Sequence, residues 1–135
     1  MGTYSSFETD KEVESSKGVT LDYGKAGKFT IHRAGGSNQK FKNYAQAKMK
    51  PYTRQLQQNT LDDDVANELN ADIFAKTVVV NWEGVTDRAG NPLPYSYENC
   101  RQLLLELPDL FTDIQRCAQD QSLFRKEIVD DVVGN

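Results

Sequence analysis

The feature that most constrains the fold is a pair of short segments in which apolar and polar residues alternate. Residues 19–23 and 29–33 both show this alternation, and Gly24 and Gly27 bound the stretch between them. Alternation on both sides of a glycine-containing turn is typical of a β-hairpin. Because a two-stranded hairpin alone is marginally stable in water, its apolar face must pack against helices or against another chain.

Apolar residues after the hairpin recur at spacings of three and four, which indicates helices with one buried face. The first such stripe follows Ser37, a residue type that caps helices, and consists of Phe41, Tyr44, Ala45, Met49, Tyr52 and Leu56. Pro51 lies inside this stripe. We expect it to kink or split the helix near Lys50, because proline lacks an amide donor and crowds the preceding turn.

Further helices are predicted downstream. The acidic residues 62–64 fit the first turn of a helix that begins at 60 or 61, since exposed amides there favour negative charge. Ser96 can cap another helix, and Pro108 suits the first turn of a third. The sequence therefore predicts a mainly α-helical α+β fold, with an N-terminal β-hairpin followed by about four to five packed helices.

The apolar content is just sufficient for one small core. Leu, Ile, Val and Phe make up 31 of the 135 residues, roughly 23%, and chains below about 20% tend to stay disordered. We expect residues 1–17 to form a flexible N-terminal arm, residues 18–129 a single helical α+β domain, and residues 130–135 a flexible C-terminal tail. With no long apolar run and no signal-peptide pattern, the sequence predicts neither a membrane protein nor a secreted disulfide scaffold.

Reactive side chains are few. The one histidine, His32, lies in a predicted strand, and no nucleophile motif surrounds Cys100 or Cys117, which we expect to be buried as small apolar residues. The acidic run 62–64 lacks the spacing and the glycine of a calcium loop, and residues 35–37 are a weak candidate for holding an anion. We predict no catalytic residue, no metal site and no cofactor, and therefore a protein that is not an enzyme.

The net charge of −4 conceals two blocks of opposite charge. Residues 25–61 contain no acidic residue and eight basic ones, namely Lys25, Lys28, Arg33, Lys40, Lys42, Lys48, Lys50 and Arg54. Residues 62–75 contain no basic residue and five acidic ones, namely Asp62, Asp63, Asp64, Glu68 and Asp72. This separation predicts head-to-tail self-association, in which the basic block of one copy meets the acidic block of the next.

The basic segment 25–54 is the strongest candidate site, and three interpretations of it stay open. It is a patch for an acidic protein surface, a solvated face, or a nucleic-acid-binding face. Nucleic acid is the less favoured partner, because six of the eight basic residues are Lys and the interleaved aromatic residues fall on the stripe predicted to be core. Trp82 either anchors the turn-rich segment 83–95 or contacts a partner. The candidate protein-binding residues are Lys40, Lys42, Lys48, Lys50, Arg54 and Trp82.

The order of several short motifs is similar to that of a known family. The motifs are Gly18-Val-Thr-Leu-Asp, Phe29-Thr-Ile-His-Arg, Asn38-Gln-Lys-Phe-Lys, Lys50-Pro-Tyr-Thr-Arg, Leu103-Leu-Leu-Glu-Leu and Leu123-Phe-Arg. The most distinctive stretch, from Trp82 to Tyr95, reads WEGVTDRAGNPLPY and is followed by a helix and a Leu-Pro-Asp step. Over residues 17–127 the chain resembles the tail assembly chaperone family of long-tailed bacteriophages.

This resemblance implies a binding protein with no catalytic or ligand residues to carry over. It implies that the chain binds the long, helical tape measure protein in the host cytoplasm and keeps it soluble. It further implies that the chain gives way to tail tube protein and is absent from the mature virion. Two alternatives stay open: a structural tail component that is retained in the virion, and a nucleic-acid-binding module that uses residues 25–54.

Overall fold

The computed structural model describes residues 2–125, which contain six α-helices and three β-strands. The strands are β1 Val19–Asp22, β2 Lys28–Ile31 and β3 Val79–Glu83. The α-helices are α1 Thr3–Phe7, α2 Gln39–Met49, α3 Thr53–Gln58, α4 Asp63–Thr77, α5 Tyr97–Glu106 and α6 Pro108–Gln119. The described residues also include a π-helical turn at Val13–Lys17 and 3₁₀ turns at Gly24–Ala26, Lys50–Tyr52 and Gln121–Phe124. The predicted α+β, mainly helical fold, with a hairpin followed by helices, is confirmed.

The hairpin is part of a three-stranded antiparallel sheet in the order β1, β2, β3. Phe29 in the central strand lies opposite Leu21 on one side and Trp82 on the other. The sequence pattern did not predict β3, because the continuous apolar run 78–80 gives no alternation from which a strand can be recognised. The third strand, together with the helices, gives the marginal hairpin the partner that it requires.

The core lies between the sheet and helices α4 to α6. Its largest fully buried apolar side chains are Phe29, Phe124, Ile31, Ile73, Leu104 and Ile114. Aromatic rings meet edge to face within it, with centroid distances of 5.8 Å for Phe29 and Trp82 and 5.6 Å for Phe74 and Phe111. Such contacts add about 0.5–1.5 kcal/mol per pair beyond the area that they bury.

Of the later helix starts, those of α5 and α6 behave as predicted, whereas α4 begins at Asp63 and not at 60 or 61, so that Asp62 is its cap instead of part of its first turn. Asp62 caps α4 by accepting a hydrogen bond of 2.8 Å from the amide of Asp64, and Ser96 caps α5 by accepting one of 3.0 Å from the amide of Asn99. Pro108 occupies the first turn of α6. These caps satisfy amides that the helices themselves leave without partners.

The start of α2 corrects one prediction. Asn38, and not Ser37, is the cap, and its Oδ1 accepts a hydrogen bond of 3.3 Å from the amide of Phe41. The side-chain Nδ2 of Asn38 also donates to the carbonyls of Arg33 and Thr77, at 2.9 and 3.0 Å. An amide side chain serves three buried backbone groups at once, which a serine hydroxyl does not.

The segment assigned from sequence to a flexible arm, residues 1–17, contributes to the fold at its second half. Val13 and Glu14 are both buried, and the amide of Asp10 donates to the carbonyl of Phe124 at 2.8 Å. The carboxylate of Glu14 is paired with Arg33, so this polar segment packs without leaving a buried charge unpaired. The predicted C-terminal tail, residues 130–135, lies outside the described residues, as does the predicted domain end at 129.

Candidate partner-binding surface

Helices α2 and α3 form an elbow, a name used here for residues 39–58. The two helices are separated by the 3₁₀ turn Lys50–Tyr52, in which Pro51 sits at the start. The split near Lys50 that the sequence predicted is confirmed. Asn59, with a φ of 56°, adopts the left-handed conformation that ends α3.

The elbow is held to the core mainly by contacts between α2 and α4. Phe41 meets the buried ring of Phe74 edge to face at 6.1 Å, and the Tyr44 hydroxyl donates a 2.8 Å hydrogen bond to Asp72 of α4. By contrast α3 buries none of its side chains, and Leu56 remains 45% exposed. The apolar stripe predicted to run to Leu56 is therefore wrong at its end. A 3₁₀ turn advances about 120° per residue instead of 100°, so the residues beyond it leave the face that α2 buries.

A groove of about 630 Å³ lies on the inner side of the elbow. Its apolar part is formed by Ala47, Met49 and Leu56, and its polar rim includes Gln46, Lys50 and Thr53. The groove thus combines exposed apolar surface with amide, hydroxyl and ammonium groups. Apolar surface inside a polar rim is the arrangement found at the centre of protein interfaces.

The five cations predicted as binding residues, Lys40, Lys42, Lys48, Lys50 and Arg54, all lie on the elbow and are all exposed. Lys48 forms an ion pair with Asp72 at 3.4 Å, and its ammonium lies 5.4 Å from the centre of the Tyr44 ring. Within residues 2–125 the other four form no ion pair. Their charge is therefore available to a partner.

Asp72 is the point at which the basic and acidic blocks meet inside one chain. It accepts hydrogen bonds from the hydroxyls of Tyr44 and Tyr97 and pairs with Lys48. Burial by itself would raise the pKa of Asp72, but the hydrogen bonds from Tyr97 and Tyr44, together with Lys48, hold it below its ordinary value. Two acids of the acidic block, Asp62 as the cap of α4 and Asp72, are thus used within the fold, while Asp63, Asp64 and Glu68 remain exposed.

Trp82 belongs to the core and not to the elbow. It is 7% exposed, its Nε1 donates to the carbonyl of Leu93 at 2.8 Å, and its ring meets Tyr95 edge to face at 5.2 Å. The structure thus gives Trp82 the loop-anchoring role, one of its two sequence-based interpretations. The prediction of Trp82 as a protein-binding residue is corrected, because its indole is covered by its own chain.

Other candidate groups are also engaged within the fold. His32 Nε2 lies 3.0 Å from the carbonyl oxygen of Ser16, and burial lowers the pKa of the imidazole. Cys100 and Cys117 are free and buried, as predicted, and burial raises the pKa of Cys100 to about 12. A thiol with so high a pKa is not a nucleophile at neutral pH.

The glycine-rich stretch 35–37 faces an anion that the chain itself supplies. The amide of Ser37 donates to Glu14 Oε1 at 3.2 Å, and the guanidinium of Arg33 pairs with the other oxygen of the same carboxylate. A Cβ added at Gly36, where φ is 55°, would collide with that carboxylate. These residues therefore hold Glu14 in place.

The structure also shows a groove that the sequence did not reveal. It measures about 610 Å³ and lies between the loop after β3 and helix α5, with Leu93, Leu103 and Leu107 among its lining residues. An ion pair of 3.0 Å between Arg88 and Glu106 lies at its edge. Leu107 is 46% exposed. Its position next to Pro108, at the break between two helices, is the only local sign of this.

The described residues also bear on metal sites and on membrane-spanning helices. No three His, Cys, Asp or Glu side chains among residues 2–125 are grouped as ligands for a metal ion. No helix in the same range has both the length and the apolar character needed to cross a membrane.

Comparison with known proteins places the chain in a family. No curated protein and no solved structure matches it. A family model described as YdaY prophage protein matches residues 36–135, which include the whole elbow and helices α4 to α6. The chain belongs to the YdaY prophage protein family and is a phage-derived protein.

Proposed function

We propose that this protein is a phage tail assembly chaperone that binds the tape measure protein and keeps it soluble until tail tube subunits replace it. The observation that carries the proposal is the elbow, whose apolar groove and four unpaired cations lie outside the packed core. Two further points support it: the phage origin of the family, and the motifs over residues 17–127 that resemble tail assembly chaperones.

The elbow suits a chaperone because each contact that it offers is weak, so that a bound partner can dissociate. Burial of apolar surface contributes about 25 cal/mol per Å², so a groove with three apolar side chains gives modest affinity. Exposed cations contribute mainly to the rate and orientation of encounter, since solvent and salt screen them. A partner held in this way is released when a competing polymer covers its binding segments.

The proposal includes no catalytic step and no cofactor. We place the protein in the host cytoplasm, with tape measure protein and tail tube protein as its partners, and outside the finished virion. Self-association remains part of the proposal, because Asp63, Asp64 and Glu68 stay exposed beside a basic elbow.

Co-expression with the tape measure protein of the same prophage tests this function. We expect the tape measure protein to be found in the soluble fraction only when this chain is present, and to co-purify with it. Mass spectrometry of purified virions provides the second measurement, in which the chaperone should be missing. A tape measure protein that is equally soluble without this chain would refute the proposal, and a chain retained in the virion would favour a structural tail component.

A further inference from the structure

The surface of the elbow also indicates the chemistry of its partner. This inference rests on the proposed function in one respect only, namely that the partner is the protein that is chaperoned. The groove has an apolar floor of Ala47, Met49 and Leu56, and Lys50 is one of its lining residues. Arg54 is exposed and follows the lining residue Thr53 in the chain. We propose that the groove binds an acidic amphipathic helix, whose apolar face lies on the floor and whose carboxylates meet the cations of the elbow.

The geometry favours a helix over an extended peptide. The residues that line the groove are 43, 46, 47, 49 and 50 on one side and 53, 56 and 57 on the other, and each lies three or four positions from another member of its side. Two helix ridges with a furrow between them accept the side chains of a third helix. One common mode of binding an extended peptide is pairing with a strand edge, and residues 39–58 contain no strand.

The charges favour an acidic occupant. Residues 39–58 contain no acidic side chain, and Lys40, Lys42, Lys50 and Arg54 are exposed without an ion pair in the described chain. A neutral or basic helix would leave these charges facing apolar or like-charged groups as it binds. An acidic helix neutralises them and is drawn to the groove from a distance of about 8–10 Å at physiological salt.

The aromatic side chains argue against nucleic acid as the occupant. Single-stranded nucleic acid is bound by stacking on exposed aromatic rings. On the elbow, however, Phe41 packs on Phe74, and the hydroxyl of Tyr44 is bound to Asp72. Arg54 is the only arginine in residues 39–58, so bidentate contacts to phosphate are scarce.

A second copy of the chain fits the groove less well than a foreign helix does. Its exposed acids, Asp63, Asp64 and Glu68, lie on α4, whose apolar residues Ile73 and Phe74 are already buried in its own core. On α4, therefore, a second copy offers charge without an apolar face to fill the groove. An amphipathic partner helix offers both.

The test uses two synthetic helical peptides of about 18 residues, long enough to be helical when bound. One carries leucines on one face and glutamates on the other, and its matched control replaces every glutamate by lysine. Fluorescence anisotropy with the full chain should show binding of the acidic peptide that is at least about tenfold tighter than that of the basic peptide. Equal affinity for the two peptides would overturn the proposal.

Two variants locate the binding on the elbow. Lys50→Glu with Arg54→Glu should weaken binding of the acidic peptide about tenfold or more, whereas Lys25→Glu with Lys28→Glu, the same charge change on the hairpin, should change it less than about twofold. Leu56→Ser should weaken binding without altering the thermal midpoint, because Leu56 is exposed. Equal losses in the two charge variants would show that net charge alone is responsible and would reject the elbow as the site.

Competing occupants are separated by the same assay. Tighter binding of a fluorescent single-stranded DNA than of the acidic peptide, lost in the elbow variant, would replace the proposal with a nucleic-acid function. Concentration-dependent self-assembly that the acidic peptide does not displace, yet the elbow variant abolishes, would assign the groove to a second copy. Elbow-dependent peptide binding with a failed co-expression experiment would reject the tape measure partner while leaving the groove chemistry intact. Successful co-expression without elbow-dependent peptide binding would reject the groove as the binding site while leaving the chaperone function intact.

Discussion

Two helical regions of this protein have the same sequence pattern but different packing. Helices α4 to α6 bury Ile73, Leu104 and Ile114 completely, whereas neither α2 nor α3 contains a fully buried residue. Both regions show apolar residues at spacings of three and four. The difference teaches that periodicity predicts an apolar face but not what covers it. The apolar faces of α4 to α6 are covered by the rest of the chain. We propose that the apolar surface of the elbow is covered by a partner.

The largest effect that this comparison predicts is at the centre of the sheet. Phe29→Ala removes a ring that is fully buried against Tyr23 and Trp82, so we expect a loss of about 3–5 kcal/mol in the free energy of unfolding. Urea unfolding measures it. Phe7→Ala is the control, since Phe7 is mostly exposed and should lose less than about 1 kcal/mol. Similar losses of unfolding free energy in the two variants would contradict the assignment of Phe29 to the core and Phe7 to the surface.

Glu14→Gln should have the next largest effect. It keeps the side-chain shape but leaves Arg33 without its buried carboxylate, and we expect a loss of about 3 kcal/mol at pH 7. The control is Glu12→Gln, in an exposed ion pair of 3.2 Å with Lys17, which should change stability by less than about 1 kcal/mol. If the two glutamate variants unfold at the same urea concentration, the N-terminal segment is not anchored as described.

The stability difference between the wild type and Glu14→Gln should depend on pH. Burial by itself would raise the pKa of Glu14, but the hydrogen bonds from Arg33 and Ser37 hold it below its ordinary value. A carboxyl with a lowered pKa in the folded state stabilises above the unfolded value of about 4.3, and its contribution disappears as the pH falls through the folded pKa. The difference between wild type and Glu14→Gln should therefore shrink below that pH. A difference that stays constant through acid unfolding would contradict this assignment.

A smaller effect is expected at the start of α4. Asp62→Ala removes the cap of α4 and should lower the free energy of unfolding by about 1 kcal/mol, as measured by urea unfolding. Asp63→Ala, one residue further into the first turn, loses only a favourable charge and should cost less than about 0.5 kcal/mol. A larger loss at Asp63 than at Asp62 would speak against the cap.

The smallest effect is predicted inside the elbow. Leu56→Ala should change the free energy of unfolding by no more than about 0.5 kcal/mol, because Leu56 is 45% exposed and does not belong to the core. Leu104→Ala makes the same substitution at a fully buried position and should lose about 2–5 kcal/mol. The ratio of these two losses, from thermal or urea unfolding, is a direct measure of how differently the two regions are packed.

The parts of the fold that were predictable from sequence are those encoded by neighbouring residues. The hairpin follows from alternation around Gly24 and Gly27, and the split elbow follows from Pro51. The starts of α5 and α6 follow from Ser96 and Pro108, and the acidic run 62–64 indicates α4 but not its first residue. Each is a local preference that the complete fold does not oppose.

The parts that were missed depend on residues distant in sequence. β3 is a strand because Trp82 pairs across to Phe29, and Asn38 displaces Ser37 as a cap because its amide reaches the carbonyl of Thr77. Glu14 is buried because Arg33 neutralises it. None of these pairings is marked by the residues next to them, so composition alone made the N-terminal segment look unable to pack.

The candidate site was predictable in its charges but not in its shape. The cations were evident from the block 25–61, and all five chosen ones lie on the elbow. The groove required the structure, because the 3₁₀ turn after Met49 is what places Leu56 in it instead of in the core. Trp82 failed as a binding residue for the opposite reason, since its loop folds over it.

The measurement that tests the central claim most directly is co-expression of the tape measure protein with the Lys50→Glu, Arg54→Glu variant. We predict that this variant keeps the thermal midpoint of the wild type and leaves the tape measure protein insoluble. The hairpin variant Lys25→Glu, Lys28→Glu should keep it soluble. A stable elbow variant that solubilises the tape measure protein as well as the wild type does would contradict the account.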